Sequence, residues 1–530
     1  VYTGKVLKIL KKIDQKCDQY KEVLGLWLMV VILRIPNFFE PYWYGDEAIY
    51  LTIGRGLRQG LRLYTDIIDH KTPLIYYLAM VPDQFNFRLL NLSWALVTTA
   101  LFFFVAQNLF KKTKPALVST TIFVLLTTLP WLEGHIPNGE LFVLGFVMVG
   151  LWLMTKTSLW KKFLTSQPRQ ALQLAPKEAW RLVAVGIFYG LAVLTKVPGI
   201  LDFGMVVLVA WFALTSLITT QLKSTQRWQI FKGFLLKSAL LVAGLLIPIG
   251  LSIIYFISRG SGQDYLDYGL LYNFRYAGSW QLRLNNPLLD FLFTLPGKIT
   301  ALTAILLLLS FWRKYTPRFQ LIAGWLTLAM FAGLLSNRAY PHYFIQLVPA
   351  FSLLLVELWQ NFFRQRGQKT ALATGLGLLI IPFATAGLLN LHPFSTSEYY
   401  GKFIKLTTGQ ITIEQYDQSF NHFIKDNYAA AQVIRGLNGD RIFIWGTNPM
   451  LYALTQTTPT SRFTVSFHIK DFNDHQRTLE QIMTEQPKLI VVMKDETDEF
   501  PALQNFLSLN YFPNYQYEQM TLWLLQKNLQ

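Results

Sequence analysis

Asp46 and Glu47 stand directly after the first apolar run, and Asp69, His70 and Lys71 follow within the same polar stretch, Tyr42 to Tyr77. Further along come Glu133, His135 and Glu140 in "PWLEGHIPNGE", Lys196 in "GLAVLTKVPG", and Arg338, Tyr340, His342 and Tyr343 in "SNRAYPHYF". Carboxylates and imidazoles can exchange protons with a hydroxyl, and a lysine held at a membrane surface is a point charge suited to a phosphate. Glu133, His135 and Glu140 are residue types that could hold a divalent cation, although their spacing fits no metal motif. Each group also has a plainer use. The acids could be a solvated loop end, Lys71 an anchor for anionic lipid, and Lys196 a side chain that reaches out to water. Asn138 is placed to cap the helix that Glu140 opens.

The elements carrying these groups follow from composition. Of 530 residues 52% are hydrophobic and 15% charged, and the apolar residues come in long runs, as in a chain whose solvent is lipid. The runs are Val23 to Phe39, Phe87 to Phe110, Pro115 to Trp131, Glu140 to Lys156, Arg181 to Val197, Ile200 to Thr220, Leu235 to Ile257, Leu288 to Trp312, Phe319 to Ser336, His342 to Asn361 and Ala371 to Leu391. That predicts a polytopic helical membrane protein of about eleven spans. Lys196, Pro198 and Gly199 break the fifth and sixth runs apart. Irregular backbone at that depth needs protein or water to satisfy it.

Charge sets the expected orientation. Lys111, Lys112 and Lys114; Lys156, Lys161, Lys162, Arg169 and Lys177; Lys223, Arg227 and Lys232; Arg313, Lys314 and Arg318; and Arg364, Arg366 and Lys369 fall in alternate connections. With the lysine-rich N-terminal segment 1–22, they belong on the cytoplasmic side by the positive-inside rule. A net charge of +17 is thus a matter of topology, with no nucleic-acid partner implied. The N-terminal stretch has no small-residue cleavage site, so it reads as leading into an uncleaved span. The single Cys17 excludes a disulfide framework and a cysteine metal cluster.

The remaining connections, including the loop 40–86, then lie on the outer face. In that loop Ile49, Ile53, Leu57 and Leu61 recur at helical spacing with Arg55, Arg58 and Arg62 between them. This predicts an amphipathic interfacial helix, at least two of whose arginines reach lipid headgroups. Residues 392–530 lose the apolar character. "RIFIWG" at Arg441 and "KLIVVM" at Lys488 read as buried strands, and Asp417 to Leu437 and Phe472 to Gln486 as amphipathic helices, which predicts a small extracytoplasmic α/β domain. Five segments, carrying Asp46 and Glu47, Lys71, Glu133 with His135, Lys196, and Arg338 with His342, bring acids and bases to one face of the membrane. A shared outer-leaflet site is the expectation.

In order and topology, the Asp46-Glu47 pair, "HKTPL", "EGHIPNGE", "GLAVLTK" and "RAYPHYFIQLVPA" resemble the GT-C glycosyltransferases, closest to the protein O-mannosyltransferase-like and aminoarabinose-transferase-like branches. The resemblance runs through about the first 360 residues, and residues 23–391 are read as the transmembrane transferase domain. It implies a bacterial plasma-membrane enzyme that moves one sugar, with inversion, from a polyprenyl-phosphate donor to a lipid, glycan or protein acceptor at the outer face. It further implies that Asp46 is the catalytic base, that Glu47 supports it or the acceptor site, and that Lys71, Lys196 and Arg338 neutralise the departing phosphate. Asp69, His70, Glu133, His135, Glu140, Tyr340, His342 and Tyr343 are further candidates. The resemblance makes no cofactor certain, and because metal use varies across the family a divalent metal near Glu133 and Glu140 is compatible with it. "DHK" departs from the Pro-Pro form of this element.

Two other classes compete. A lipid-sugar flippase or transporter would place ionisable groups near the bilayer midplane, often in repeated halves, and no internal repeat is evident here. A membrane-anchored binding protein working through residues 392–530 would leave the outer-face charges without a use.

Overall fold

The computed structural model describes residues 20–526 except 176–177, 219–221, 279, 313–314, 365–368 and 438. The lysine-rich N-terminal stretch with Cys17, the end of the sixth run at Thr220, and Lys177, Arg313, Lys314 and Arg366 lie outside the described residues. Each of the eleven apolar runs contains a helix. They are Tyr20–Phe39, Gln84–Phe110, Thr113–Thr128, Gly139–Met154, Ala179–Thr195, Gly199–Thr215, Ser224–Ser258, Leu295–Phe311, Pro317–Gly333, the pair Pro341–Leu347 (3-10) and Val348–Arg364, and Lys369–Leu388. Among the described residues five helices are long and apolar enough to cross a membrane unaided. The others are shorter, broken or bent, as at 76° between Gly139–Met154 and Ser158–Leu164.

The chain forms two compact units. One comprises Val1–Ile35, Asn91–Leu251 and Phe274–Thr396. Its core is drawn from nearly every helix, with Phe102, Trp160, Tyr189, Phe212, Trp325 and Leu354 buried. Small residues allow backbones to meet in it: a Cβ on Gly186 would fall 2.1 Å from the carbonyl oxygen of Leu241, so helices Ala179–Thr195 and Ser224–Ser258 touch there. The predicted break in the fifth and sixth runs is present. Helix Ala179–Thr195 ends at Lys196, whose backbone is extended, and the next helix begins at Gly199.

The other unit comprises Pro36–Leu90, Ser252–Asn273 and Ser397–Gln530. Its sheet contains β1 (Arg441–Trp445), β2 (Thr458–Pro459), β3 (Leu489–Met493), β4 (Tyr511–Gln516) and β5 (Met520–Leu525) in the order β2-β1-β3-β5-β4. β1 lies parallel to β2 and β3, β1 and β3 being the two predicted buried strands, while β5 runs antiparallel to β3 and β4. Helices Ser466–Asp471 and His475–Glu485 make the crossover from β2 to β3. The predicted helix at Asp417 to Leu437 is two helices, Ile413–Gln418 and Ile424–Gly436.

Helix Gly45–Arg58 differs from its predicted form. All eight residues from Glu47 to Gly54 are buried, so protein surrounds it in place of one apolar face meeting lipid. Its arginines bond protein as well. Arg55 donates to the Gln456 side chain at 3.1 Å, Arg58 to the Val81 carbonyl, and Arg62, just beyond the helix, pairs with Asp66 at 2.9 Å.

Candidate active site

In the unit that holds the sheet, Asp46 and Glu47 occupy the first turn of helix Gly45–Arg58, where carboxylates suit the helix dipole. Their side chains part company. Asp46 keeps 27% of its side-chain surface exposed. Its Oδ2 accepts from the Tyr50 hydroxyl at 3.1 Å, and Lys71 Nζ lies 3.4 Å from Oδ1. Glu47 is sealed: Arg88 donates through Nε and Nη2 at 2.9 and 2.8 Å, and Gln84 Nε2 adds a bond at 3.0 Å. Glu40 extends this network, taking the Tyr399 hydroxyl on one oxygen and the Trp43 indole on the other.

Lys71 is buried between two acids, 3.4 Å from Asp46 and 3.3 Å from Asp69, with its ammonium 5.1 Å from the Tyr50 ring. Asp69 is fully buried, and its Oδ2 also accepts from Tyr76 Oη at 2.6 Å. Burial would raise the Asp69 carboxyl, but Lys71, His70 and His468 hold it well below the usual carboxylate range. His468 is also enclosed, and burial lowers its imidazole to about 3 despite the attraction of Asp69. It is a neutral ring at ordinary pH.

Chain pairing brings these groups together. Ile68 N–H donates to the Arg462 carbonyl at 2.7 Å and Ile68 bridges Phe463, which sets Asp69 and His70 beside the segment that leads into helix Ser466–Asp471. Asn273 Nδ2 holds the His70 carbonyl at 3.0 Å.

The helical unit contains a second cluster. Glu133, in a left-handed backbone conformation, bonds His342 Nδ1 through Oε2. Glu140 pairs with Lys196, whose ammonium sits 4.5 Å from the Tyr343 ring. The hydroxyls of Tyr343 and Tyr276 meet at 3.3 Å, and the Arg338 guanidinium covers the Tyr276 ring at 4.2 Å. Tyr340 stacks on His342. Arg34 clamps the turn by bonding the carbonyls of Thr127 and Gly134 at 3.0 and 2.7 Å and that of His135 at 3.4 Å.

One expectation changes here. Asn138 holds the N-cap position but its side chain does not cap; it turns back and donates to the Glu133 carbonyl at 3.3 Å. Glu133 and Glu140, taken as a candidate cation site, are each engaged by a different basic residue, His342 and Lys196.

The sequence reading passed over Arg88, Glu40, Arg34 and His468. A charge inside an otherwise apolar run was the available signal for Arg34 and Arg88. It also passed over Asp202, buried in helix Gly199–Thr215 with its oxygens bonded by Trp325 and Gln346, and the buried pair Glu178 and Lys237 at 2.7 Å.

ArnT from Cupriavidus metallidurans in the apo state aligns with 94% of this chain and 97% of its own at 12% identity, with a TM-score of 0.48. The archaeal oligosaccharyltransferase AglB from Archaeoglobus fulgidus, in complex with an inhibitory peptide and a dolichol-phosphate, aligns with 97% of this chain and 75% of its own at 12% identity and a TM-score of 0.41. No curated protein matches significantly. Residues 71–258 match the model of the dolichyl-phosphate-mannose-protein mannosyltransferase family. The matched segment includes Lys71, Glu133, His135, Glu140 and Lys196, and leaves Asp46, Glu47 and Arg338 outside. Over that segment the chain carries the sequence character of this mannosyltransferase family, and the resemblance to GT-C glycosyltransferases read from its motifs is borne out.

Proposed function

We propose that the chain is an inverting glycosyltransferase that moves one sugar from a polyprenyl-phosphate donor to a hydroxyl acceptor at the outer face of a bacterial plasma membrane, with Asp46 as general base. The observation that carries the reading is the contrast between the two adjacent acids. Asp46 is partly open and held by a phenol and an ammonium, whereas Glu47 has both oxygens committed to Arg88 and Gln84. A base must reach its substrate, so Asp46 suits the role and Glu47 becomes the group that fixes the helix carrying it.

In the reaction Asp46 takes the acceptor's hydroxyl proton as that oxygen bonds to the anomeric carbon. The bond from this carbon to the carrier phosphate oxygen breaks on the opposite face, and the phosphate leaves with the electron pair. Lys71, whose ammonium lies 3.4 Å from Asp46, is the proposed phosphate ligand in this unit. In the helical unit, Lys196 and Arg338 are the proposed phosphate ligands. Fixed cations stabilise the leaving group without reorganisation. A single base suffices, unlike glycoside hydrolysis, which ordinarily uses two carboxylates.

Buried Asp202 is the kind of group a flippase would use, but Trp325 and Gln346 occupy its oxygens. The deciding experiment supplies radiolabelled polyprenyl-phosphate sugars to membranes containing wild type or Asp46→Asn. Transfer to an acceptor by wild type, with a loss of about 100-fold or more in the variant at equal folded protein, is expected. Full activity in Asp46→Asn would remove the base assignment. Label that crosses the bilayer without changing acceptor would favour the flippase.

A further inference from the structure

Three potential ligand atoms from distant parts of the chain point at one another beside Lys71. His70 Nδ1 lies 3.0 Å from Asp69 Oδ1 and 3.1 Å from His468 Nε2, and His468 Nε2 lies 3.5 Å from Asp69 Oδ1. In a tetrahedral zinc site with bonds near 2.0–2.1 Å, neighbouring ligand atoms are roughly 3.3 Å apart. The three separations bracket that value. All three residues are buried, Asp69 and His468 completely.

The hydrogen bonding of Asp69 is lopsided. Oδ2 takes Tyr76 and Lys71, while Oδ1 faces His70 Nδ1 at 3.0 Å and His468 Nε2 at 3.5 Å. A fully buried carboxylate oxygen facing two imidazole nitrogens is costly without a cation or shared proton. His468 is fixed by the rings of Phe463, Phe467 and Phe472, at centroid distances of 6.4, 4.3 and 6.0 Å, and His70 packs edge-on to Tyr272 at 5.5 Å. Such an apolar shell limits water access and holds ligands in place.

We propose that Asp69 Oδ1, His70 Nδ1 and His468 Nε2 bind one zinc ion, with water as the fourth ligand. Two imidazoles and one carboxylate suit zinc among divalent ions, whereas magnesium and calcium favour all-oxygen sets. The site is distinct from the Glu133 and Glu140 turn and independent of the transferase reading. It would tie helix Ser466–Asp471 to the loop that carries Lys71. The metal would share Asp69 with Lys71, and Lys71 in turn contacts Asp46, so the tie reaches the proposed base through two side chains.

The test uses the full-length protein in detergent, treated with EDTA, desalted, and titrated with zinc sulfate. One zinc per chain by elemental analysis and a rise in the thermal midpoint are expected. Both should be lost in His468→Ala and in Asp69→Asn. A tetrahedral ligand-field spectrum with cobalt(II) in wild type would report the geometry. Wild type that takes up no zinc and shows no thermal shift would overturn the proposal and leave a proton-sharing triad. Zinc retained equally by both variants would place the ion elsewhere and overturn it as well. Because wild type alone decides the first outcome, a variant that fails to fold does not rescue the idea. Since the readout is metal content, loss of transferase activity cannot be mistaken for loss of the site.

Discussion

Glu47 and Arg88 meet through two parallel hydrogen bonds of 2.9 and 2.8 Å, with both side chains about 99% removed from solvent. Removing one partner leaves a buried charge without its counter-ion, which costs about 3–5 kcal/mol. Arg88→Ala and Glu47→Gln should therefore lower the thermal midpoint sharply. The apolar double variant Glu47→Leu/Arg88→Met should recover much of the loss, because no charge is then stranded. Thermal unfolding of the four proteins in detergent checks this. A double variant as unstable as the worse single one would show that the wider network to Glu40 and Gln84 dominates.

Lys196 has two uses that the same kind of cycle can separate. It pairs with buried Glu140, and it is proposed to bind donor phosphate. Lys196→Met alone should destabilise the protein and weaken transfer. Adding Glu140→Gln should restore stability, since the stranded carboxylate is gone. If Lys196 serves the phosphate, the stable double variant keeps a raised KM for the donor, by about tenfold for the loss of about 1.4 kcal/mol. Wild-type kinetics in the double variant would reduce Lys196 to a structural residue.

Stability should carry a pH signature at Asp417. Burial raises its carboxyl to about 6, against an opposing hydrogen bond from Tyr428. Because the folded pKa lies above the unfolded one, the folded state binds more protons between about pH 4 and 6. This residue's contribution is complete at the acid end of that window and is lost as pH rises through it. Asp417→Asn cannot titrate, so the midpoint difference between variant and wild type should widen from pH 4 to 7. A constant difference would show that the site is not shifted.

The helices were legible because lipid-compatible length and apolarity are local properties, and the break at Lys196 was legible because Pro198 and Gly199 punctuate it. Partner choice was not. Arg88 finds Glu47 across 41 positions, Arg34 finds Gly134 across 100, and His70 finds His468 across 398. No periodicity reports such pairs. The interfacial reading of helix Gly45–Arg58 was misled by a correct helical spacing, since spacing shows an apolar face without showing how many sides are covered. Asn138 stood at the right position for a cap, but position does not fix where an amide turns.

The setting of Asp46 also depends on a glycine two turns along its helix. A Cβ on Gly54 would lie 2.2 Å from the Ala79 carbonyl oxygen and 2.5 Å from its carbon, and both are backbone atoms that a rotamer change cannot clear. Gly54→Ala must push helix Gly45–Arg58 away from the turn after Leu74–Leu78, at a cost of about 1–3 kcal/mol. Gly45→Ala, in the first turn of the same helix with nothing within 4 Å, is the control. Alanine favours a helix over glycine by roughly 1 kcal/mol, so Gly45→Ala should be neutral or stabilising. Paired thermal unfolding would read the difference. Equal midpoints would mean that helix and turn separate freely, and the helix would then not be the rigid mount that the proposed base requires.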